Sequence, residues 1–257
     1  MFETIQYELD CHTARIVLNR PQALNAFTAD MNREIAEAVR LASRDEQVRC
    51  LMITGAGRAF SSGQDLSQVD ETMDHGQVLR DHYGPMVKEL MNCQKPIVAA
   101  VNGVAAGAGF SLALACDFRL LSERGSFLNA FINVGLIPDS GNLYYLNKLV
   151  GPAKALEMSV LGEKIYAEEA LRLGLATKVI AEEAWQEETK AFCDRMAFLP
   201  TKAIGLIKRS LKMADSLGLE DYLSMEAEAQ RIAGKTVDHQ EGVAAFMAKR
   251  KAVWIGK

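Results

Sequence analysis

Three short segments hold the residues with chemical promise. The first is Gly103-Val-Ala-Ala-Gly107-Ala-Gly109, which follows an apolar run and opens a helical one. Glycines let backbone approach a ligand closely. The N–H groups of a first helical turn lack intrahelical acceptors, so such a turn can face negative charge. The same composition also suits close helix–strand packing, and both readings stand. The second segment is Arg58-Ala-Phe-Ser61-Ser62-Gly63-Gln64-Asp65-Leu66. Alone it reads as a solvated loop. Beside the first turn it supplies a second strand-end loop, and two such loops can place two N–H donors around one oxygen. The third is Asp139 in Val134-Gly-Leu-Ile-Pro-Asp139-Ser-Gly141, preceded by Phe131, Ile132, Val134, Leu136 and Ile137. As an N-cap it would only start a helix. On an apolar wall, desolvation would raise its pKa toward the range useful for proton transfer, although helix N–H donors would oppose this.

The Gly-rich segment admits three enzymatic readings. Its G-x-x-x-G-x-G spacing, with Tyr144 and Lys148 as Y-x-x-x-K, resembles the short-chain dehydrogenases. That family, however, places its glycine turn after the first strand and its tyrosine much farther along; here Gly103 and Tyr144 are 41 residues apart. Gly109-Phe-Ser111-Leu-Ala113 resembles a nucleophile elbow, with His239 downstream. The serine then sits inside a helix, and His239 in a polar helical tail. The third reading uses the turn's N–H groups as an oxyanion hole.

The elements that position these segments follow from periodicity. Ile5, Tyr7 and Leu9 alternate, and 14–18 is a short apolar run; both read as strands. A helix is expected over about 28–44, with Thr28 as N-cap and Met31, Ile35, Ala38, Val39 and Ala42 on one stripe. Strands are expected at 48–54, 97–101, 118–121, 126–129 and 176–180. Residues 61–76 read as loop with a short helix, 77–92 as helix, 102–109 as turn and 109–116 as buried helix. A helix or turn is expected around 130–134. From Gly141 the chain is mainly helical, with a helix over 166–173. The stretch 183–257 reads as three amphipathic helices punctuated by Pro200, Gly218 and Gly234. Strands alternating with helices and then helices alone indicate an α/β core with a helical tail.

Composition narrows the function classes. With 257 residues, the chain can bury roughly 70–75% of its unfolded surface, so its core requires neither disulfides nor metal. Hydrophobic residues at 49% and charged ones at 24% exclude a disordered chain. A net charge of −4 argues against general nucleic-acid binding. Five cysteines, none in a CxxC pair, suggest free thiols in a reducing compartment. His12, His75, His82 and His239 show no ligand spacing, so no metal is expected. The N-terminal residues lack a secretory pattern, and a cytoplasmic location is expected. The apolar stretch 97–116 is long enough to span a bilayer, but Asn102, its glycines and charged flanks favour strand, turn and helix.

Taken together, the motifs resemble the crotonase, or enoyl-CoA hydratase/isomerase, superfamily along essentially the whole length. Asn19-Arg20-Pro21 with Leu24-Asn25-Ala26 resembles its N-terminal signature, and Phe60 to Leu66 its first oxyanion loop. Pro96 to Gly109 with Asp117 resembles its second, and Glu241 to Phe246 with Lys249-Arg250-Lys251 its C-terminal signature. The resemblance implies an α/β spiral of β-β-α turns: a core acyl-CoA-binding domain over 1–195 and a helical oligomerisation region over 196–257, assembling as a homotrimer or hexamer. It implies an acyl-CoA thioester as partner, with coenzyme A entering as part of the substrate, no other cofactor, no nucleic acid and no membrane. By position, the N–H groups of Gln64 and Ala108 would hold the thioester oxygen of an enolate. Ser62, Gly63, Asp65, Leu66 and Gly107 would form the loops against substrate. Phe131, Leu136 and Tyr144 would line the acyl pocket, and Arg20 would either meet a CoA phosphate or be solvated.

Two departures shape the expected chemistry. Ser111 and Phe131 stand where the family's hydratases carry glutamates, and neither replaces a carboxylate as a base at neutral pH. Asp139 matches an aspartate of several relatives, and its surroundings look most like the ring-1,2-epoxyphenylacetyl-CoA isomerase and enoyl-CoA isomerase branch. The dehalogenase relatives fit less well, and Asn142-Leu143 replaces the usual Gly-Thr. The expected function is therefore an acyl-CoA isomerase with Asp139 as proton shuttle and Ser111 dispensable. The alternatives are a hydratase of low efficiency and a non-catalytic acyl-CoA binder.

Overall fold

The computed structural model describes residues 2–68 and 72–257. The chain opens with an antiparallel hairpin, β1 (Ile5–Asp10) and β2 (Thr13–Leu18). Helix α1 (Ala29–Arg44) follows. Thr28 Oγ1 accepts the Met31 N–H at 3.2 Å, and the expected stripe is fully buried. This is the N-cap that satisfies an otherwise orphan donor.

From there the chain repeats one manoeuvre. It lays a strand in a first sheet, steps to a short strand in a second sheet, and returns through helix. β3 (Cys50–Gly55) and β4 (Ala59–Ser61) precede α2 (His75–Val78), a π turn (Leu79–Tyr83) and α3 (Gly84–Asn92). β5 (Ile97–Val101) and β6 (Val104–Ala106) precede α4 (Ala108–Ala115). β7 (Phe118–Ser122) and β8 (Ser126–Leu128) precede a 3-10 turn (Ala130–Val134) and α5 (Asn142–Leu161), which kinks at Gly151-Pro152. Then come β9 (Lys164–Tyr166), α6 (Ala167–Arg172) and β10 (Lys178–Ile180). Among the described residues, the first sheet runs β1-β2-β3-β5-β7-β10, parallel from β2 onward, and the second runs β4-β6-β8-β9. β4, β6 and β8 are parallel neighbours, which sets their ends side by side.

The apolar stretch at 97–116 resolves into β5, β6 and α4, and all eight α4 residues are buried. No helix among the described residues is long and apolar enough to cross a membrane. Phe110 of α4 stacks on Phe127 of β8 with centroids 4.7 Å apart. Such a pair adds about 0.5–1.5 kcal/mol beyond its area and fixes α4 on the second sheet.

Several sequence expectations need correction. β4 and β6 lie where loop and turn were expected, and β9 overlaps the start of the expected 166–173 helix. The tail holds four helices among the described residues: α7 (Trp185–Ala197), α8 (Thr201–Ala214), α9 (Leu219–Ala233) and α10 (Val237–Met247). Pro200, Gly218 and Gly234 each separate two of them, so three breaks make four segments. A boundary at 195 also falls inside α7, whose Cys193, Met196 and Ala197 pack on Cys50, Val98, Leu120 and Ile180. Part of the loop expected at 61–76, namely 69–71, lies outside the described residues. The five cysteines are free thiols.

Candidate active site

The ends of β4 and β6 carry two backbone loops that touch. Phe27 N–H donates to Gly63 O at 2.7 Å, and Asp65 N–H donates to Phe27 O at 3.0 Å. In such a bridge the intervening residue faces the other way, so the Gln64 N–H points away from Phe27. Gly107 N–H donates to Leu128 O at 2.9 Å, and α4 starts at the next residue. Neither the Gln64 N–H nor the Ala108 N–H has an acceptor among the described residues. Gly63 and Gly107 have φ of +99° and +51°, a region that suits glycine. They also let the loops approach: a methyl at Gly107 would stand 3.7 Å from Gly63 Cα, and one at Gly63 would stand 3.5 Å from Ala108 N. Two unpaired donors thus sit on adjoining loops, one of them at a helix N-terminus.

Asp139, in the turn before α5, is linked to α4 through its backbone carbonyl. Ser111 lies on α4 one turn beyond Ala108, about 4.5 Å along the axis. Its hydroxyl is 3.0 Å from the Asp139 carbonyl oxygen. Asn142 N–H also donates to that carbonyl, at 2.9 Å. The carboxylate does not cap α5, whose N-cap is Gly141 without a side-chain bond. Its Oδ1 instead accepts the Ser140 hydroxyl at 2.9 Å. Burial pushes the Asp139 carboxyl above the usual carboxylate range, opposed in part by the Ser140 hydrogen bond and His75. Ser140 is itself in the left-handed region at φ +55°, so the turn bearing Asp139 is held in a strained form.

The N-terminal signature supports the first loop. Arg20 donates to Ala26 O at 2.6 Å and to Asp65 Oδ2 at 2.9 Å. Asn25, buried and left-handed, donates to Ala56 O and Ala59 O at 2.9 Å each and accepts the Arg20 N–H. Ser61 Oγ donates to Asn25 O at 2.8 Å and accepts the Gly63 N–H at 3.2 Å.

Comparison with known proteins meets this geometry. The family model described as enoyl-CoA hydratase/isomerase matches residues 11–257. The chain belongs to the enoyl-CoA hydratase/isomerase family. It is 38% identical over 262 residues to a 1,2-epoxyphenylacetyl-CoA isomerase of Escherichia coli (strain K12), covering 100% of both chains. It is 34% identical over 263 residues to a crotonyl-CoA hydratase of Syntrophomonas wolfei, covering 100% of this chain and 99% of the other. The crystal structure of an enoyl-CoA hydratase subunit I from Geobacillus kaustophilus HTA426 superposes with a TM-score of 0.93 at 35% identity, covering 100% and 99%. The crotonase fold expected from the motifs is the observed fold.

Within this enoyl-CoA hydratase/isomerase fold, the expected site residues divide. Gln64, Gly63, Gly107, Ala108 and Phe131 converge, with Phe131 Cζ 3.9 Å from the place of a Gly107 methyl, and Asp139 joins them through its carbonyl on Ser111. Arg20 and Asp65 are engaged with each other, so Arg20 is a half-buried ion-pair partner and not a freely solvated side chain. Asp65 also accepts from Ser67, and with Arg20 this holds its carboxyl below the usual range. Ser62 is tied by its N–H to Leu24 O at 3.0 Å. Leu66 and Leu136 are exposed. Tyr144 is exposed with Lys148 Nζ 4.1 Å over its ring, and it is Tyr145 whose ring meets Gly141. Ser111 is fully buried and hydrogen-bonded to carbonyls, while His239 is exposed on α10, which removes the nucleophile-elbow reading. Tyr83 was not anticipated. It is buried on the π turn, packs on Phe27, and donates to the Gln64 side chain. Burial raises its pKa, and the Asp139 charge adds to the rise. A π turn is a recurrent mark of functional sites, but one is not visible in sequence periodicity.

Proposed function

We propose that the chain is an acyl-CoA isomerase that moves a proton along the acyl group through a thioester enolate. The thioester oxygen lies between the N–H groups of Gln64 and Ala108, where charge gathers as a proton leaves the α-carbon. Asp139 takes that proton and returns it to another carbon, so the double bond shifts and no electrons are gained or lost. With an epoxide substrate the same groups assist ring rearrangement, and the name of the Escherichia coli relative supports such substrates. One observation carries the reading: Asp139, whose half-buried carboxyl has a raised pKa, is tied by its backbone carbonyl through Ser111 to the helix that bears an unpaired N–H. Preorganised donors at such an oxygen are worth roughly 3–4 kcal/mol each. Relatives named as hydratases support the runner-up, hydration. A fully buried Ser111 bound to carbonyls favours isomerisation, because it offers water no base. The likeness to the family also leads us to assign 196–257 to self-association as a trimer or hexamer.

The test is a panel of 3-enoyl, 2-enoyl and epoxide thioesters with the parent and Asp139→Asn. The variant is expected to lose about 10²–10⁴ in kcat for the double-bond shift. Unchanged isomerisation by Asp139→Asn would refute the reading, and hydration surviving in it would assign water activation to other groups.

A further inference from the structure

The buried polar groups between α4 and α5 do more than fill space. Ser111 and Asn142 are both fully buried in different elements. Asn142 Nδ2 donates to Ser111 Oγ at 3.2 Å. Ser111 Oγ lies 3.0 Å from Asp139 O and 3.2 Å from Gly107 O, and Asp139 O is the nearer acceptor. Asn142 N–H closes the ring on Asp139 O at 2.9 Å. The Asp139 turn therefore has three links, and two run through the Ser111 hydroxyl to the helix that starts at Ala108. Among the described residues the other backbone bonds lie at the ends of this turn, Leu136 N–H to Phe131 O at 3.0 Å and Tyr145 N–H to Gly141 O at 3.1 Å, and between them Ile137 is 77% exposed.

We infer that Ser111 and Asn142 are positioning residues that set the Asp139 carboxylate against the Ala108 N–H. The inference rests on the proposed isomerase reading and departs from the expectation that Ser111 is dispensable. A short polar link suits this task. It fixes the backbone of residue 139 and takes up neither carboxylate oxygen, of which Oδ1 accepts the Ser140 hydroxyl. Without the hydroxyl, Asp139 O keeps the Asn142 N–H alone, and the strained turn relaxes toward solvent. A displacement of about 1 Å in a reacting group can cost as much as ~10²-fold in rate. It would also rehydrate the carboxylate, undoing the burial that raises its pKa.

The experiment compares kcat, KM and the pH profile of kcat for the parent, Ser111→Ala, Asn142→Ala and Ser111→Thr on one isomerised thioester. Titratable groups whose charge the carboxylate feels or affects are His75 on α2 and Tyr83 on the π turn, so His75→Gln is profiled too. Ser111→Ala and Asn142→Ala are expected to lower kcat about tenfold or more with KM within about twofold. Their acidic limb should move to lower pH, as the base regains an ordinary pKa. Ser111→Thr, which keeps a hydroxyl, should restore the limb, and His75→Gln, which removes a cation that opposes the rise, should move it the other way, to higher pH. An unmoved limb in both alanine variants, whether or not activity falls, would overturn the inference, because a merely structural loss leaves the base unchanged. Asp139→Asn separates the two claims. Activity persisting there defeats the isomerase reading, whereas activity lost there beside an unmoved limb in the alanine variants defeats only the positioning role.

Discussion

Holding Asp139 ionised at neutral pH works against the fold. Burial raises its pKa in the folded chain, while the unfolded chain keeps an ordinary carboxylate near 3.9. The folded state therefore binds the proton more tightly, and ionisation at neutral pH favours unfolding. Asp139→Asn removes the charge and still offers Ser140 an acceptor. The variant should melt at a higher temperature than the parent at pH 7. That gain is full above the raised pKa and fades as pH falls through it toward the ordinary value. Thermal melts from pH 4 to pH 8 check this; a variant less stable than the parent at pH 7 would mean the carboxylate is stabilised by its surroundings. The same group that loses activity thus gains stability, as expected where a site holds a charge away from water.

One scale up, the oxyanion side depends on where α4 begins. Ala108 is its first residue, a place where proline is tolerated because its N–H is unpaired in any helix. Ala108→Pro is therefore a way to delete one donor while leaving the helix intact. We expect kcat to fall about 10²–10³-fold, as for other removed oxyanion donors. Ala108→Gly keeps the N–H and should stay within a few-fold. Equal losses in both would show that the methyl matters and the donor does not. The long elements were legible in sequence because they repeat their signal: α1 shows its stripe over about three turns, and β5 is apolar throughout. β4, β6 and β9 have three residues each, too few for an alternation to show, so the sheet that aligns the two loops was hidden. The glycine turn, the Gly63 loop and Asp139 could be read because each is local. Tyr83 and the Ser111–Asn142 link could not, since only packing between distant segments gives them partners.

At the scale of the molecule, the tail is anchored at one end and open at the other. Lys208 of α8 donates to Asp117 Oδ2 at 2.6 Å, and the same oxygen accepts the Ile97 N–H that starts β5. Arg49, at the edge of β3, donates to Leu199 O and Trp254 O, at 2.8 and 2.9 Å. Beyond these anchors, α9 buries no residue, and α8, α9 and α10 bound a groove of about 440 Å³ lined by Ala203, Val243, Phe246, Met247 and Trp254. Phe246 is 83% exposed and Met247 76%. Monomers rarely leave apolar surface contiguous beyond a few hundred Å². A second copy of the chain is the cover we propose, and a stable interface would bury about 1,200–2,000 Å². Such a contact would brace α8, and through Asp117 the start of the strand whose far end leads to the Gly107 turn. The parent should sediment as a multiple of 28.2 kDa. Phe246→Glu places a charge on that face and should shift the chain toward smaller species with an unchanged far-UV spectrum. A parent that sediments as a single chain, or a variant indistinguishable from it, would assign these side chains a different role.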